Sequence, residues 1–399
     1  MNILLIGNGF DVAHGLPTQY IDFLNFVVSF KCYRNKKVCD SNLKDYFDQH
    51  LEEIYQIELD KCIENNKWLD HFLHVYEERL SSEKNGWIDF ENEISSVVQA
   101  LDRAEEYSTI QFEKGKTDAM LEFKEWYYLG FLLFKETDFE KAYFDRLDVN
   151  SISNTKLKLE KDLEKLIRAL EIYLSTYVNH ILISKLNIEK DHCDFSKMNI
   201  SFIINFNYTN TYNILYKTDR NFVQQCHVHG SAELNHKTRM TNMVLGIDEY
   251  LDDDKKDEEN RFYVFKKFYQ RIMKETDTSY QDVLDYINNL EPDPRDKEPI
   301  YHNLYIYGHS LDITDKDILS SFILADKVNT FIYYHNEKSK KKLIGNLIKI
   351  IGQDELIKRT KGEKRTINFV SNTTDLEYSE KYPYDHVAML INKMVADTY

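Results

Sequence analysis

Glycine and proline are scarce. The 399 residues hold 12 and 5 of them, under half of what average usage of about 7% and 5% would supply. So few breakers exclude a turn-rich all-β fold and favour long helices. Each glycine present therefore marks a place where the backbone does something unusual. The five cysteines, Cys32, Cys39, Cys62, Cys193 and Cys226, are odd in number and scattered, with no CxxC pair. That argues against a zinc ribbon and against a disulfide framework. No stretch approaches the roughly 18 apolar residues that span a bilayer. The opening MNILLIGNGFD lacks a charged segment followed by a long apolar run, so no signal peptide is expected. A reducing, cytoplasmic setting away from membranes is the simplest expectation. Positive charge is also in deficit, giving a formal net charge of −16. An acidic surface repels a polyanion. An extended nucleic-acid surface is thus not expected, although a local basic groove remains open.

What is there is globular in composition: 42% apolar, 30% charged and 14% aromatic. The chain is long enough for one large core or two units. Residues 3–6 form a short apolar run that suits a buried strand, ended by Gly7, Asn8 and Gly9. After Gly15-Leu16-Pro17, Thr18 is placed to cap a helix beginning near Tyr20, whose Phe23, Leu24 and Val27 recur at helical spacing. Helical spacing then continues to about Leu186, through Leu51, Ile54, Tyr55 and Leu59 to Leu163, Leu166, Ile167 and Leu170. Its only punctuation is at Asn85-Gly86 and Gly115.

Beyond it the pattern predicts strands over 200–204, 223–228, 243–246, 304–307, 331–334 and 367–370. Helices are predicted over 257–273, 279–290, 314–324, 338–351 and 386–394. Alternation of strand and helix argues an α/β protein with a mostly parallel sheet covered on both faces. The expected organisation is a discontinuous α/β domain of residues 1–17 plus 190–399, with a large all-helical insertion, 18–189, after the first strand. Pro292, Pro294 and Pro299 mark a surface connection. The charged run 251–260 reads as a solvated loop or a helix start and not as a metal site, because EF-hand spacing and its central glycine are missing.

Four segments carry chemistry. Gly7-Asn8-Gly9-Phe10-Asp11 follows the first strand, where glycine lets a backbone turn tightly and approach a phosphate. The third glycine of GxGxxG is absent, and an ordinary strand-end turn explains the pair equally well. Asn205-Phe206-Asn207-Tyr208-Thr209-Asn210 lies at a strand's carboxyl end, where open α/β sheets bind ligands. Thr209 or Asn210 suits a helix cap, while Asn207 faces the ligand. In His227-Val228-His229-Gly230-Ser231, strand alternation puts the two histidines on one side. Histidine serves as a general base near neutral pH. A metal pair is the alternative, without a third ligand nearby. Gly308-His309-Ser310 ends another strand, before a helix starting near Thr314. A helix N-terminus and a serine hydroxyl suit an anion or a ribose. Asp315, taken alone, reads as a first-turn acid favoured by the helix dipole.

The ordered set GNGFDVAHGLPTQYIDFL, WIDFENEI (87–94), NFNYTNT, HVHGS, LGIDE and YGHSLDITD resembles the AbiH family, known for abortive infection in bacteria. The motifs run from residue 3 to about 335. They are similar, more distantly, to the sirtuin-like fold. The shared order is Gly7-Asn8-Gly9 then Gly15-Leu16-Pro17, Phe206-Asn207-Tyr208-Thr209, His229-Gly230 and Gly308-His309-Ser310. That resemblance implies a Rossmann-like site for NAD, as substrate or ligand and without a metal. It implies that Asn207 positions water or ribose and that His229 is the base. The nucleotide contacts it implies are Gly7, Asn8, Gly9, Phe10, Asp11, Asn205, Thr209, His227, Gly230, Gly308, His309, Ser310 and Asp315. Thr209 stands where sirtuins carry Asp, and the cysteine quartet of their zinc module is missing, so protein deacylation is not implied. Several sirtuin-like defence proteins hydrolyse NAD, which needs only a polar pocket and an activated water.

The resulting expectation is an anti-phage NAD glycohydrolase. The pyrophosphate would sit on the backbone of residues 7–10, and Asp11 would hold a ribose hydroxyl. Asn207, His229 and Glu91 would be the catalytic residues. Glu91 comes from the WIDFENEI stretch, where acids in the first turn of a helix also favour its dipole. Two alternatives stand beside it. One is a nucleotide-sensing subunit without turnover. The other is a metal-dependent nuclease, for which only Asp11, Asp248 and Asp315 are placed. A phage-derived trigger is expected and unidentified, and a homo-oligomer is left open.

Overall fold

A computed structural model describes residues 1–37, 40–81, 88–114, 149–184, 195, 198–216, 223–234, 241–248, 262–290, 301–362 and 365–371. The chain forms two compact units. The first joins Met1–Gln19, Leu174–Glu233 and Glu275–Tyr399, and the second joins Tyr20–Tyr173 and Leu234–Lys274.

The first unit holds six strands: β1 (Asn2–Ile6), β2 (Phe202–Asn205), β3 (Gln224–His227), β4 (His302–Tyr307), β5 (Val328–Tyr334) and β6 (Ile367–Ser371). All neighbours are parallel, in the order β3-β2-β1-β4-β5-β6. That is the order of doubly wound dinucleotide-binding sheets. The α/β class, the parallel sheet and the helical insertion after β1 are as the sequence pattern predicts.

β1 shows why it sits at the centre. Its side chains alternate between the two faces, and both faces are covered. Ile3 and Leu5 join Phe202, Ile204, Leu304 and Ile306 in one core cluster. Leu4 and Ile6 join Phe10, Ile203, Tyr212 and Tyr307 in the other. The first cluster is completed by α12 (Lys316–Ile323), α13 (Glu337–Ile351) and α14 (Gln353–Thr360), through Ile318, Phe322, Leu347 and Leu356. The second is completed by α1 (Asn8–Ala13) and α9 (Thr211–Tyr216). The unit also contains α8 (Asn179–Ser184) and α11 (Ser279–Asn289).

The second unit contains α2 (Tyr20–Arg34), α3 (Ser41–Gln49), α4 (Glu53–Ile63), α5 (Lys67–Ser81), α6 (Phe90–Lys114), α7 (Val149–Tyr173) and α10 (Lys267–Met273). α7 packs against α2, α4, α5 and α6. Buried polar groups fix this packing. Asn66 caps α5 through the Trp68 and Leu69 amides, and the Trp68 indole donates to Leu159 O at 2.9 Å. Arg168 is clamped between Glu58 and Glu171. No helix among the described residues is long and apolar enough to cross a membrane.

Some local expectations change. Residues 243–246 are not a strand of the sheet. Gln270 holds Leu245 with its side-chain amide, donating to Leu245 O and accepting from Leu245 N. One isolated bridge, Ile247 with Lys266, follows. This segment clusters with the helical unit. Of the predicted helix over 257–273, residues 257–261 lie outside the described residues, and the rest forms a 3₁₀ turn, Tyr263–Phe265, and then α10. α2 begins at Tyr20 as expected, but the Thr18 hydroxyl donates to Asn8 Oδ1 at 2.7 Å. α14 was not anticipated. The predicted helix 386–394, the loops 251–260 and 291–300 and the breaks at Asn85-Gly86 and Gly115 lie outside the described residues.

Gly308 has φ of +67°, and a Cβ there would lie 2.2 Å from the Phe10 amide nitrogen. Gly308→Ala is therefore expected to cost about 3 kcal/mol or more, combining a left-handed backbone with a backbone clash. Chemical denaturation of the variant checks this; a loss below about 1 kcal/mol would contradict the close approach.

Candidate functional site

The carboxyl ends of β1 and β4 meet at the sheet's topological switch point, where open α/β sheets bind their ligands. Here two glycine turns close on each other. Gly7 N donates to Tyr307 O at 3.2 Å, and Gly9 N donates to Gly308 O at 2.8 Å. A Cβ on Gly7 would meet His309 Cα at 2.7 Å, and one on Gly9 would meet Gly308 Cα at 2.8 Å. Backbone-to-backbone contact explains all three glycines. Phe10 N also donates to Gly7 O, at 2.8 Å. The amides of Gly7, Gly9 and Phe10 are thus committed inside the protein. They do not form the row of donors that a pyrophosphate on residues 7–10 requires, and the expectation is revised accordingly. Asn8 is the exposed residue of this turn. The Phe10 side chain is fully buried, edge-on to Phe195 and Tyr307.

The turn after β2 is braced by its own asparagines. Asn205 Oδ1 accepts from Asn207 N at 2.8 Å, and Asn205 Nδ2 donates to Thr209 O at 2.9 Å. Asn207 reaches across to β1, donating from Nδ2 to Gly7 O at 3.0 Å. The Thr211 hydroxyl donates to Thr209 Oγ1, and Thr209 donates to Asp11 Oδ2. Asp11, on α1, is almost completely buried. Its Oδ1 meets no hydrogen-bond donor among the described residues. Burial pushes its pKa up to about 6, and Thr209, Thr211 and Asn207 pull it back only in part.

The two histidines of HVHGS part company. β3 ends at His227, and the two imidazoles take different partners. His227 Nδ1 lies 3.1 Å from Asn207 O, and Nε2 lies 2.7 Å from Gln225 Nε2. A carbonyl only accepts, so the proton sits on Nδ1 and Nε2 accepts from Gln225. Asn205 Nδ2 lies 3.4 Å from the same Nδ1. Burial pushes the His227 pKa down; this is a neutral ring that holds two turns together.

His229 precedes Gly230, whose φ is +78°. Its Nε2 lies 3.0 Å from Asp315 Oδ1. The other oxygen of Asp315 faces His309 Nε2 at 3.4 Å. His309 Nδ1 accepts from Leu311 N at 2.9 Å, which puts the proton of the neutral ring on Nε2, toward Asp315. The Phe206 ring stands edge-on to both imidazoles, with centroids 5.5 Å and 4.4 Å away. Asp312, not Asp315, makes the side-chain cap of this turn, accepting from Thr314 N. Asp315 bridges two histidines from two different strand ends. Ser310 is exposed, and its carbonyl accepts from Asn346 of α13 at 2.9 Å.

Glu91 belongs to the second unit. Its carboxylate lies 2.9 Å from Nζ of the buried Lys267. Asp89 caps α6 by accepting from the Glu91 and Asn92 amides. Sequence reasoning missed Lys267, Phe206 and Thr211, and missed the pairing of Asp315 with His229. Among the described residues no three His, Cys, Asp or Glu side chains converge as metal ligands.

A parallel sheet of this order, with asparagine, histidine and aspartate gathered at its switch point, defines a doubly wound α/β protein with a polar site on its carboxyl edge. The chain belongs to the bacteriophage abortive infection family AbiH, which matches residues 3–334, so its functional class is abortive infection against phage. The match takes in β1 to β5 and both units. No curated protein matches the chain.

Asp11 gives a pH signature. Its ordinary value of 3.8 rises to about 6 on folding, so the folded state favours the protonated acid. That stabilisation is complete below about pH 4 and is lost as pH rises through about 6, on the order of 3 kcal/mol. Melting wild type and Asp11→Asn from pH 4 to pH 8 is expected to show wild type losing ground over that window. Parallel curves would mean an unperturbed carboxylate.

Proposed function

We propose that this site binds an NAD-like dinucleotide and hydrolyses its nicotinamide–ribose bond, giving nicotinamide and ADP-ribose, and that this reaction executes the abortive response. The observation that carries the reading is the His229–Asp315 pair beside Asn207 at the switch point of a dinucleotide-type sheet.

The chemistry asks little of the protein. Nicotinamide departs with the bonding pair as a neutral pyridine, leaving an oxocarbenium-like ribose. Water adds its oxygen to that carbon and gives up a proton. With Nε2–H of His229 directed to Asp315, Nδ1 is the nitrogen that takes the proton. The Asp315 carboxylate stabilises the imidazolium, and His309 shares its charge from the other side. The proton then passes to solvent. Asn207 orients the water or the ribose. The sirtuin-like resemblance of the motifs supports the same ligand.

Incubating the purified protein with NAD and separating the products by chromatography tests this reading. Nicotinamide and ADP-ribose are expected, with His229→Ala and Asp315→Asn slowed by about 10²- to 10⁴-fold. A rise in melting temperature with NAD but no turnover would favour the nucleotide-sensing alternative. Intact NAD with no thermal shift would overturn both.

A further inference from the structure

The acidic chain has one strongly basic stretch. Between Glu337 and Arg365 it carries ten Lys and Arg against four Asp and Glu, while the whole chain is at −16. In α13 the charges fall on one side. Leu343, Leu347 and Ile350 are buried, and at 100° per residue Lys338, Lys342, Gly345 and Lys349 lie on the opposite face, flanked by Lys341. These four lysines are exposed. Lys338, Lys341 and Lys349 have no carboxylate at ion-pair distance among the described residues, while Lys340 turns to Glu337 and to the Tyr334 ring. Further along, Glu355 is spent locally on Arg359 and Lys358.

A second, independent feature lies in the middle of this face. Gly345 sits inside a 15-residue helix, where glycine costs about 1 kcal/mol relative to alanine. Nothing within the protein calls for it. A Cβ there would meet nothing within 4 Å, and its φ is not positive. The glycine leaves a bare strip of backbone between rows of ammonium groups, as a close approach from outside would need.

We propose that the outer face of α13 binds the phosphate backbone of a nucleic acid. From Lys338 to Lys349 the row is about 16 Å long, the length of about five phosphates on one strand at roughly 3.4 Å each. A membrane surface is disfavoured, because the helix spends its apolar side on the core and presents lysine and glycine outward. The acidity of the rest of the chain limits the contact to this patch. The interaction is short, local and salt-dependent.

Fluorescence anisotropy with a labelled 20-nucleotide single-stranded RNA and a 20-base-pair DNA duplex tests the proposal. Binding at 50 mM salt is expected to weaken with a log–log salt slope of about −2 to −3, as the counterions released at Lys338, Lys341 and Lys349 give. Lys338→Glu/Lys342→Glu/Lys349→Glu is expected to weaken it at least tenfold. The equal charge change at Lys37, Lys61 and Lys161 is expected to change it less than threefold. Gly345→Leu keeps every charge and raises helix propensity, so it is expected to preserve the melting temperature while weakening binding. RNA and duplex arms distinguish which backbone is preferred. No binding, equal binding by the triple variant and its charge-matched control, or equal affinity for polyglutamate or for phosphatidylserine vesicles would each overturn the proposal.

Discussion

Everything at the carboxyl edge of this sheet depends on two backbones touching. The Gly7–Gly9 turn after β1 and the Gly308 turn after β4 are too close for side chains, and their amides and carbonyls satisfy each other. The contact joins the ends of β1 and β4 at the level of Gly7 and Gly308. It also fixes where the neighbouring groups stand. Asn207 anchors to Gly7, and His309 follows directly on Gly308, so the histidine and asparagine sides of the site are both registered to one seam.

Around that seam the polar residues divide into those that build and those that remain available for chemistry. Asn205 and His227 build, because each spends its polar atoms on neighbouring turns. Asp315 is different in kind, a nearly buried carboxylate serving two imidazoles. In the proposed reaction such a charge is pre-positioned, with little solvent to reorganise when His229 gains a proton. Asp11 is the opposite case, an acid whose burial works against ionisation.

The strands were legible because a sheet buried on both faces needs short continuous apolar runs, and residues 3–6 and 200–204 supply them. Residues 243–246 have the same composition, but they pack as an extended loop among helices, and periodicity does not separate the two cases. The candidate site was legible as a set of strand ends and not as a set of contacts. The spacing of HVHGS could not reveal that His227 and His229, with one residue between them, take different partners. Asp315 had a sufficient local explanation in the helix dipole, and its true partner lies 86 residues earlier. The glycines of GNG had a familiar explanation in phosphate binding, while Gly308, which demands them, is some 300 residues away. In each case the missing information was a tertiary distance. The domain boundaries show the same limit: residues 234–274 follow a strand-rich stretch yet cluster with the helices.

The helical insertion has a consequence for synthesis. β1 lies between β2 and β4 in the sheet, but its partners follow it by about 200 and 300 residues. At roughly 5–20 residues per second, the ribosome leaves Leu4, Leu5 and Ile6 without a sheet to enter for at least several seconds, and up to about a minute before β4 arrives. Through that interval the growing chain carries Gly7, and later Asn207 and His229, but neither Gly308 nor Asp315. A chain interrupted before residue 302 lacks β4 and holds only half of the seam. The seam between the two glycine turns is complete only once β4 and the turn after it have been made.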